Sequence, residues 1–337
     1  MADKIYRYWA TVPSGLEEVA LDDLRERLPQ LQKVNVEAGG RFGQLFFTFR
    51  RSPQHLAGFR SCMHLAGLIC EMHRATVGQP GLEYICGRIA RLDLGPVRSL
   101  ARAMQPSIDT SSFSLSATLQ GRYRYSTSDL VRSVAEILRK KHGLREGQGG
   151  AVLKLHLQLT GRRALLGLRL GTSILASRVI VYCLGRLLGM KRGAITLWAR
   201  REPDELRELY ESFDPALLIG LLTGAKRERS GLPPHALVAA RDFVPLADSS
   251  VEYTLTYSSG DPAGELAELA RILLPGGVAV VQVARPEPFI EILREEDYPF
   301  EILAGLRLGE HGRTFRLLIL ERLEEFDPQL LQVAWDI

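Results

Sequence analysis

The chain has 337 residues, of which 46% are hydrophobic and 24% charged, with a formal net charge of +4, an ordinary globular composition with room for two or three domains. No apolar run is long enough to span a bilayer, and residues 1 to 12 lack a signal-peptide layout. Cys62, Cys70, Cys86 and Cys183 form no C-x-x-C pair and have no histidine at metal-ligand spacing, so the expectation is a cytoplasmic protein with neither a metal site nor a disulfide framework.

Residues 5 to 12, IYRYWATV, predict a strand. Pro13-Ser14-Gly15 break it ahead of LEEVALDDLRERL, where Leu16, Val19, Ala20, Leu24 and Leu28 follow helical spacing. After Gly39-Gly40, FGQLFFTF predicts a second strand. Ser52-Pro53 then predict the start of a helix running through HLAGFRSCMHLAGLIC, which would place His55, His64 and His73 along one helical stripe as core or surface residues. Short elements follow at Leu82 to Ile89 and Leu100 to Met104.

The charge is concentrated in the next stretch. From Phe113 to Arg178, twelve lysines and arginines face three acids, a local net charge of +9, so the rest of the chain carries −5. Such a local excess is the footprint of a surface that meets phosphates. Here FSLSATLQGRYRY predicts a strand, and Ser126-Thr127-Ser128 supply N-caps for a helix that Gly143 ends behind Arg139-Lys140-Lys141. Leu130, Val134, Ile137 and Leu138 would face a sheet, with Arg132 and Arg139 pointing outward. KLHLQL alternates, with leucines on one face and Lys154, His156 and Gln158 on a face open to RNA; a Gly161-Arg162-Arg163 turn and the strand LLGLRL follow.

This succession of strand, helix, KLHLQL, GRR turn, LLGLRL and TSILASR resembles the THUMP domain, an RNA-binding module of tRNA methyltransferases and thiouridine synthetases. In methyltransferases that carry it, the THUMP domain lies between an N-terminal ferredoxin-like domain and a class I methyltransferase domain, and ATVPSGLEEVALDDL is similar to their opening. The resemblance implies an α/β and α+β multi-domain chain: a ferredoxin-like domain over 1–105, THUMP over 106–180, a linker over 181–212, and a shortened Rossmann-like methyltransferase domain over 213–337. It also implies that basic groups grip the acceptor stem and 3′ end of tRNA. The candidates are Arg122, Arg124, Arg132, Arg139, Lys140, Lys141, Lys154, Arg162, Arg163 and Arg178. Past TSILASR the chain reads VIVYCLGRLLGMKRGAITLW, where the family has a basic-aromatic pair and a tyrosine-arginine.

FDPALLIGLLTGA, from Phe213, is similar to the helix that precedes the first methyltransferase strand in this family. A strand ending in an acid, a glycine-rich turn and a second acid for the ribose would be expected next, but KRERSGLPPH leads directly to ALVAARDFVPLADSSVEYTLTYSSGD, so the cofactor loop reads as lost. Where N2-guanine methyltransferases carry Asn or Asp, two prolines and an aromatic, this chain has Tyr257-Ser258-Ser259-Gly260. The helix Gly264 to Leu274, the turn and strand LLPGGVAVVQV, and a hairpin at Glu310-His311-Gly312 complete the later half of the fold.

Three readings follow. The first is a non-catalytic tRNA-binding protein without cofactor, acting alone, as a homodimer or beside a catalytic partner subunit. The second is an S-adenosylmethionine-dependent tRNA guanine-N2 methyltransferase in which Asp242, Asp248 or Asp261 takes over polar roles at the cofactor. A scaffold that assembles through the residual sheet is the third.

Overall fold

A computed structural model describes residues 6–38, 42–50, 53–56, 58–147, 149, 151–171, 173–191, 194–198, 208–209, 211–213, 215, 217–221, 236–239, 246–258, 260–295, 298–310 and 313–323. The chain divides into two compact units, Met1–Val12 with Ala20–Ile174 and Pro13–Val19 with Leu175–Ile337. No helix among the described residues is long and apolar enough to cross a membrane.

The first unit is built on β1 (Tyr6–Pro13), α1 (Glu17–Arg27), β2 (Gln32–Glu37), β3 (Phe42–Phe49) and β4 (His64–Met72). It continues with α2 (Gln79–Ile89), α3 (Gly95–Met104), β5 (Asp109–Gln120), α4 (Thr127–His142), β6 (Arg145–Glu146), β7 (Val152–Thr160) and β8 (Arg163–Arg169). All eight strands form one sheet in the order β2-β3-β1-β4-β8-β7-β5-β6. The first half has the ferredoxin-like order, with a single 3-10 turn at Pro53–Leu56 in place of the helix expected through HLAGFRSCMHLAGLIC. His64 to Met72 is a strand because β4 lies between β1 and β8. A strand covered on both faces needs the same continuous apolar run that a buried helix would show. His55, His64 and His73 therefore share no helical stripe.

The β4–β8 ladder joins the stretch expected as a ferredoxin-like domain to the one expected as THUMP, and residues from both halves form a single apolar core. Residue 105 lies inside the first compact unit. At Gly167 on β8, a Cβ atom would come within 2.2 Å of the Trp9 ring, so only glycine leaves room there for that indole, which reaches from β1 across β4. Helix α4 starts with a capping box between Ser126 and Asp129 and ends at Gly143 with φ 66°, as its sequence signals predict.

The second unit contains α5 (Ala176–Leu187), β9 (Ile195–Trp198), β10 (Leu217–Leu221), β11 (Ala236–Ala239) and β12 (Val251–Tyr257). It ends with α6 (Pro262–Ile272), β13 (Leu273–Val283), α7 (Glu287–Glu295), β14 (Phe300–Glu310) and β15 (Arg313–Arg322). The sheet order is β11-β10-β9-β12-β13-β15-β14; β9 to β13 run parallel, and β15 runs antiparallel to both neighbours. This is a doubly wound, Rossmann-like sheet whose order reverses between β9 and β12.

Two expectations are corrected here. Leu217–Leu221, expected in a helix, is a parallel strand, and β9, expected within a linker over 181–212, is the strand at the reversal. No strand is missing from the middle of the sheet. Its first strand lies upstream of Phe213, and β9 and β11 are only four residues long, too short for a clear two-residue alternation.

Candidate nucleic-acid interface and cofactor crevice

β5 and β7 run in parallel register to Gln120 and Thr160, so the loop after β5 and the β7–β8 turn leave the sheet at the same end. Hydrogen bonds tie that end together. The Tyr123 hydroxyl donates to Gly161 O at 2.9 Å, the Arg124 N–H to Val77 O at 2.8 Å, and the Ala75 N–H to Arg162 O at 2.9 Å. Arg74, Arg122, Arg124 and Arg162 are therefore carried by three cross-braced segments. All four are exposed, and none makes an ion pair among the described residues. Tyr123 packs 5.5 Å from Tyr125 between them. Arg74 was not among the sequence candidates, because the loop after β4 reaches this end only through the β4–β8 pairing.

The other basic candidates separate from this cluster. Arg132 pairs with Asp129 at 2.6 Å, Lys140 with Glu136, and Arg139 stands 3.9 Å from Glu146. With Lys141 they lie along α4 and in its last turn, where cations also answer the helix dipole. Lys154 is half-buried on β7, on the face where His156 and Gln158, expected to be open to RNA, are buried.

Arg163 holds Glu37 and Glu71 and lies with its guanidinium 4.6 Å from the centre of the Phe46 ring, so it ties β8 to the first half of the sheet. Arg178 belongs to the second unit: in the first turn of α5, it pairs with Glu208 at 2.6 Å and Glu211 at 3.4 Å. The Glu208 side chain is only 2% exposed. Arg178→Ala is thus expected to remove the guanidinium that answers a buried carboxylate, leaving it the Ser212 hydroxyl at 2.9 Å, and to lower the stability of the second unit by about 2 to 3 kcal/mol, with partial recovery in Arg178→Ala/Glu208→Gln. Urea denaturation checks this, and unchanged stability in the single variant would refute the structural role.

In an open α/β sheet the ligand crevice lies outside the carboxyl ends of the strands where their order reverses, here after β9 and β12. Asp248 precedes β12, at the amino-terminal edge, and its carboxylate pairs with Arg271 at 2.8 Å. Strand direction therefore removes it from the crevice. Asp261 lies at the carboxyl end of β12, but it is the N-cap of α6 and accepts from the Gly264 N–H at 3.2 Å. Asp261→Ala should destabilise this helix start by about 1 kcal/mol, read as a lowered urea midpoint, whether or not any ligand binds nearby. Asp242 and Ser259 lie outside the described residues.

The sequence that follows these strands lacks the features expected to hold S-adenosylmethionine. The chain following β9, from Ala199 to Ile219, contains no glycine to let backbone approach a cofactor, and β10 is followed by Leu222-Thr223 rather than an acid. β12 ends at Tyr257, Ser258 follows it, and the next carboxylate in the chain, Asp261, is engaged in its cap. Among the described residues no group of histidines, cysteines and acids could hold a metal ion, and all four cysteines are free thiols.

No family model matches the chain, and no curated protein matches it. Among solved structures it is similar to TrmN from Thermus thermophilus, at 19% identity over 95% of this chain and 100% of that one, with a TM-score of 0.62. It is similar to SMU.472, assigned as a methyltransferase and complexed with SAH, at 12% identity over 94% and 98% of the two chains, with a TM-score of 0.57. A predicted N6-adenine-specific DNA methylase from Listeria monocytogenes aligns at 13% identity over 94% and 96%, with a TM-score of 0.52. The chain therefore has the multi-domain, mixed α/β fold of these methyltransferase-like proteins along nearly its whole length.

Proposed function

We propose that this chain is a tRNA-binding protein of THUMP type, over residues 106–180, whose methyltransferase-like domain serves RNA positioning or assembly rather than methyl transfer. The observation that carries the RNA reading is the set of four exposed arginines, without ion-pair partners among the described residues, at one braced end of the first sheet. They suit phosphate oxygens, because guanidinium groups offer paired donors, and an aromatic among them suits an unstacked base. Phosphate contacts position an RNA without reading its sequence. An active partner subunit would supply what the crevice lacks, and a second copy of this chain would serve assembly alone.

The second reading, an active S-adenosylmethionine-dependent tRNA guanine-N2 methyltransferase, is favoured by the likeness to a fold solved with SAH and by the full set of seven strands. Calorimetric titration with S-adenosylmethionine and S-adenosylhomocysteine separates the two. No detectable heat from a protein that binds tRNA is the expected result. Micromolar binding of either ligand would overturn the non-catalytic reading and make the enzyme the leading one.

A further inference from the structure

On the first sheet, the face bearing Lys154 and His156 holds a second basic feature about six residues along β7 from the arginine-bearing end, or about 20 Å at ~3.3 Å per residue. Ser114 on β5 stands opposite Lys154, Ser116 opposite His156, and Arg169 ends β8 beside them. Ser114, Ser116, Lys154, Arg169 and Gly171 line a pocket of about 270 Å³. At ~30 Å³ per water, that space takes a phosphate group with room to spare.

No acid lines this pocket, and Arg169 makes no ion pair among the described residues. One of its terminal nitrogens donates to the Ser173 hydroxyl at 2.6 Å, while its Nε is buried without any hydrogen-bond partner. An anion in the pocket would answer this guanidinium's charge, which no acid beside it does, and a partly buried charge is costly to leave uncompensated. Burial alone draws the Arg169 pKa downward, the opposite of what a resident carboxylate would do. The His156 ring lies next along the same face of β7, with the Ser116 hydroxyl 2.8 Å from its Nδ1.

We propose that Lys154, Arg169, Ser114 and Ser116 form a phosphate-binding pocket, with the two cations neutralising a dianion, the Ser114 hydroxyl donating to one of its remaining oxygens, and the Ser116 hydroxyl to another once it accepts from the Nδ1–H tautomer of His156. Paired cations with hydroxyl donors suit a tetrahedral, doubly charged group better than a planar monoanionic carboxylate. The pocket's chemistry stands by itself; that the phosphate belongs to an RNA rests on the RNA-binding reading above.

The test follows the Arg169 Nε–H resonance of the full ¹⁵N-labelled chain during titration with inorganic phosphate, with adenosine 5′-monophosphate, and with a short RNA carrying or lacking a 5′-phosphate. Saturable shifts are expected, weakened about tenfold or more in Lys154→Met and in Arg169→Gln. Lys154→Met is the safer variant, since that side chain is half-buried and makes no ion pair among the described residues. Shifts with both RNAs assign the pocket to an internal phosphodiester. Shifts with the phosphorylated RNA alone assign it to a chain end, and shifts with inorganic phosphate or the mononucleotide alone to a free ligand. If no probe shifts the resonance of the folded wild-type chain, or if Lys154→Met binds as well as wild type, the pocket is refuted. Binding of tRNA with a silent pocket sinks this inference alone, whereas a pocket that takes phosphate in a chain with no tRNA affinity sinks the RNA reading alone.

Discussion

Acidification from pH 6.5 towards 4 is expected to unfold the first unit progressively, by about 1.4 kcal/mol per pH unit for each of two buried histidines. His64 and His156 are 8% and 9% exposed, and their ring centres are 4.3 Å apart. The polar neighbours of His156 are hydroxyls, Ser116 at 2.8 Å and Thr118 at 3.5 Å from its two nitrogens, and Nε2 of His64 is buried without a partner among the described residues. The charged group that acts on both is Arg169, a cation. Burial, with His156 and Arg169 adding to it, lowers the pKa of His64 from 6.5 to about 2, and burial together with Arg169 lowers that of His156 to about 4. Between these values and 6.5 the unfolded chain binds protons that the folded chain refuses, so stability is complete above pH 6.5 and lost as pH falls. Across that window His156 alone contributes roughly 3 kcal/mol of acid sensitivity. Urea midpoints from pH 8 to 5 check this against His156→Gln, which keeps a polar side chain but does not titrate. A wild-type profile flat to pH 5, or one parallel to that of the variant, would contradict it.

Much of the fold could be read from local chemistry, and the failures share one cause. Helix α4 was legible because capping and periodicity agree along it, from Ser126 and Asp129 to Gly143. The hairpin of β14 and β15 was legible because Glu310-His311-Gly312 separates two long runs. β4 and β10 resemble helices in sequence because short apolar runs, as in residues 65–70 and Leu217–Leu221, do not by periodicity distinguish a strand from a helix. Misreading the latter hid β9 and made the second sheet look truncated. The site divided in the same way. Charge density marks the right region, yet charge alone does not distinguish Arg162, exposed at a turn, from Arg163, which holds Glu37 and Glu71 from its next position. Arg74 and Arg169 join their clusters through strand pairing across the sheet, which no window of sequence contains.

The charge-reversal variant Arg74→Glu/Arg122→Glu/Arg124→Glu/Arg162→Glu is expected to lose roughly a hundredfold or more in tRNA affinity at moderate salt. Each phosphate contact releases counterions on binding, at ~0.7 to 0.9 in the slope of log affinity against log salt, so losing four should flatten that slope by about 3. Because none of the four makes an ion pair among the described residues and all are exposed, the variant should keep its fold, which circular dichroism and the urea midpoint establish first. Arg163→Glu is the informative contrast. It would place a third carboxylate against Glu37 and Glu71, so its expected effect is loss of stability, and any loss of RNA binding should track unfolding. Lys140→Glu, which loses an exposed pair with Glu136, should leave affinity nearly unchanged if RNA meets the arginine-bearing end rather than the far turn of α4. A folded fourfold variant with wild-type affinity and an unaltered salt slope would remove the interface from this end of the sheet. A loss shared equally by the fourfold and Lys140→Glu variants would instead point to diffuse attraction by the whole basic region, without a defined docking edge.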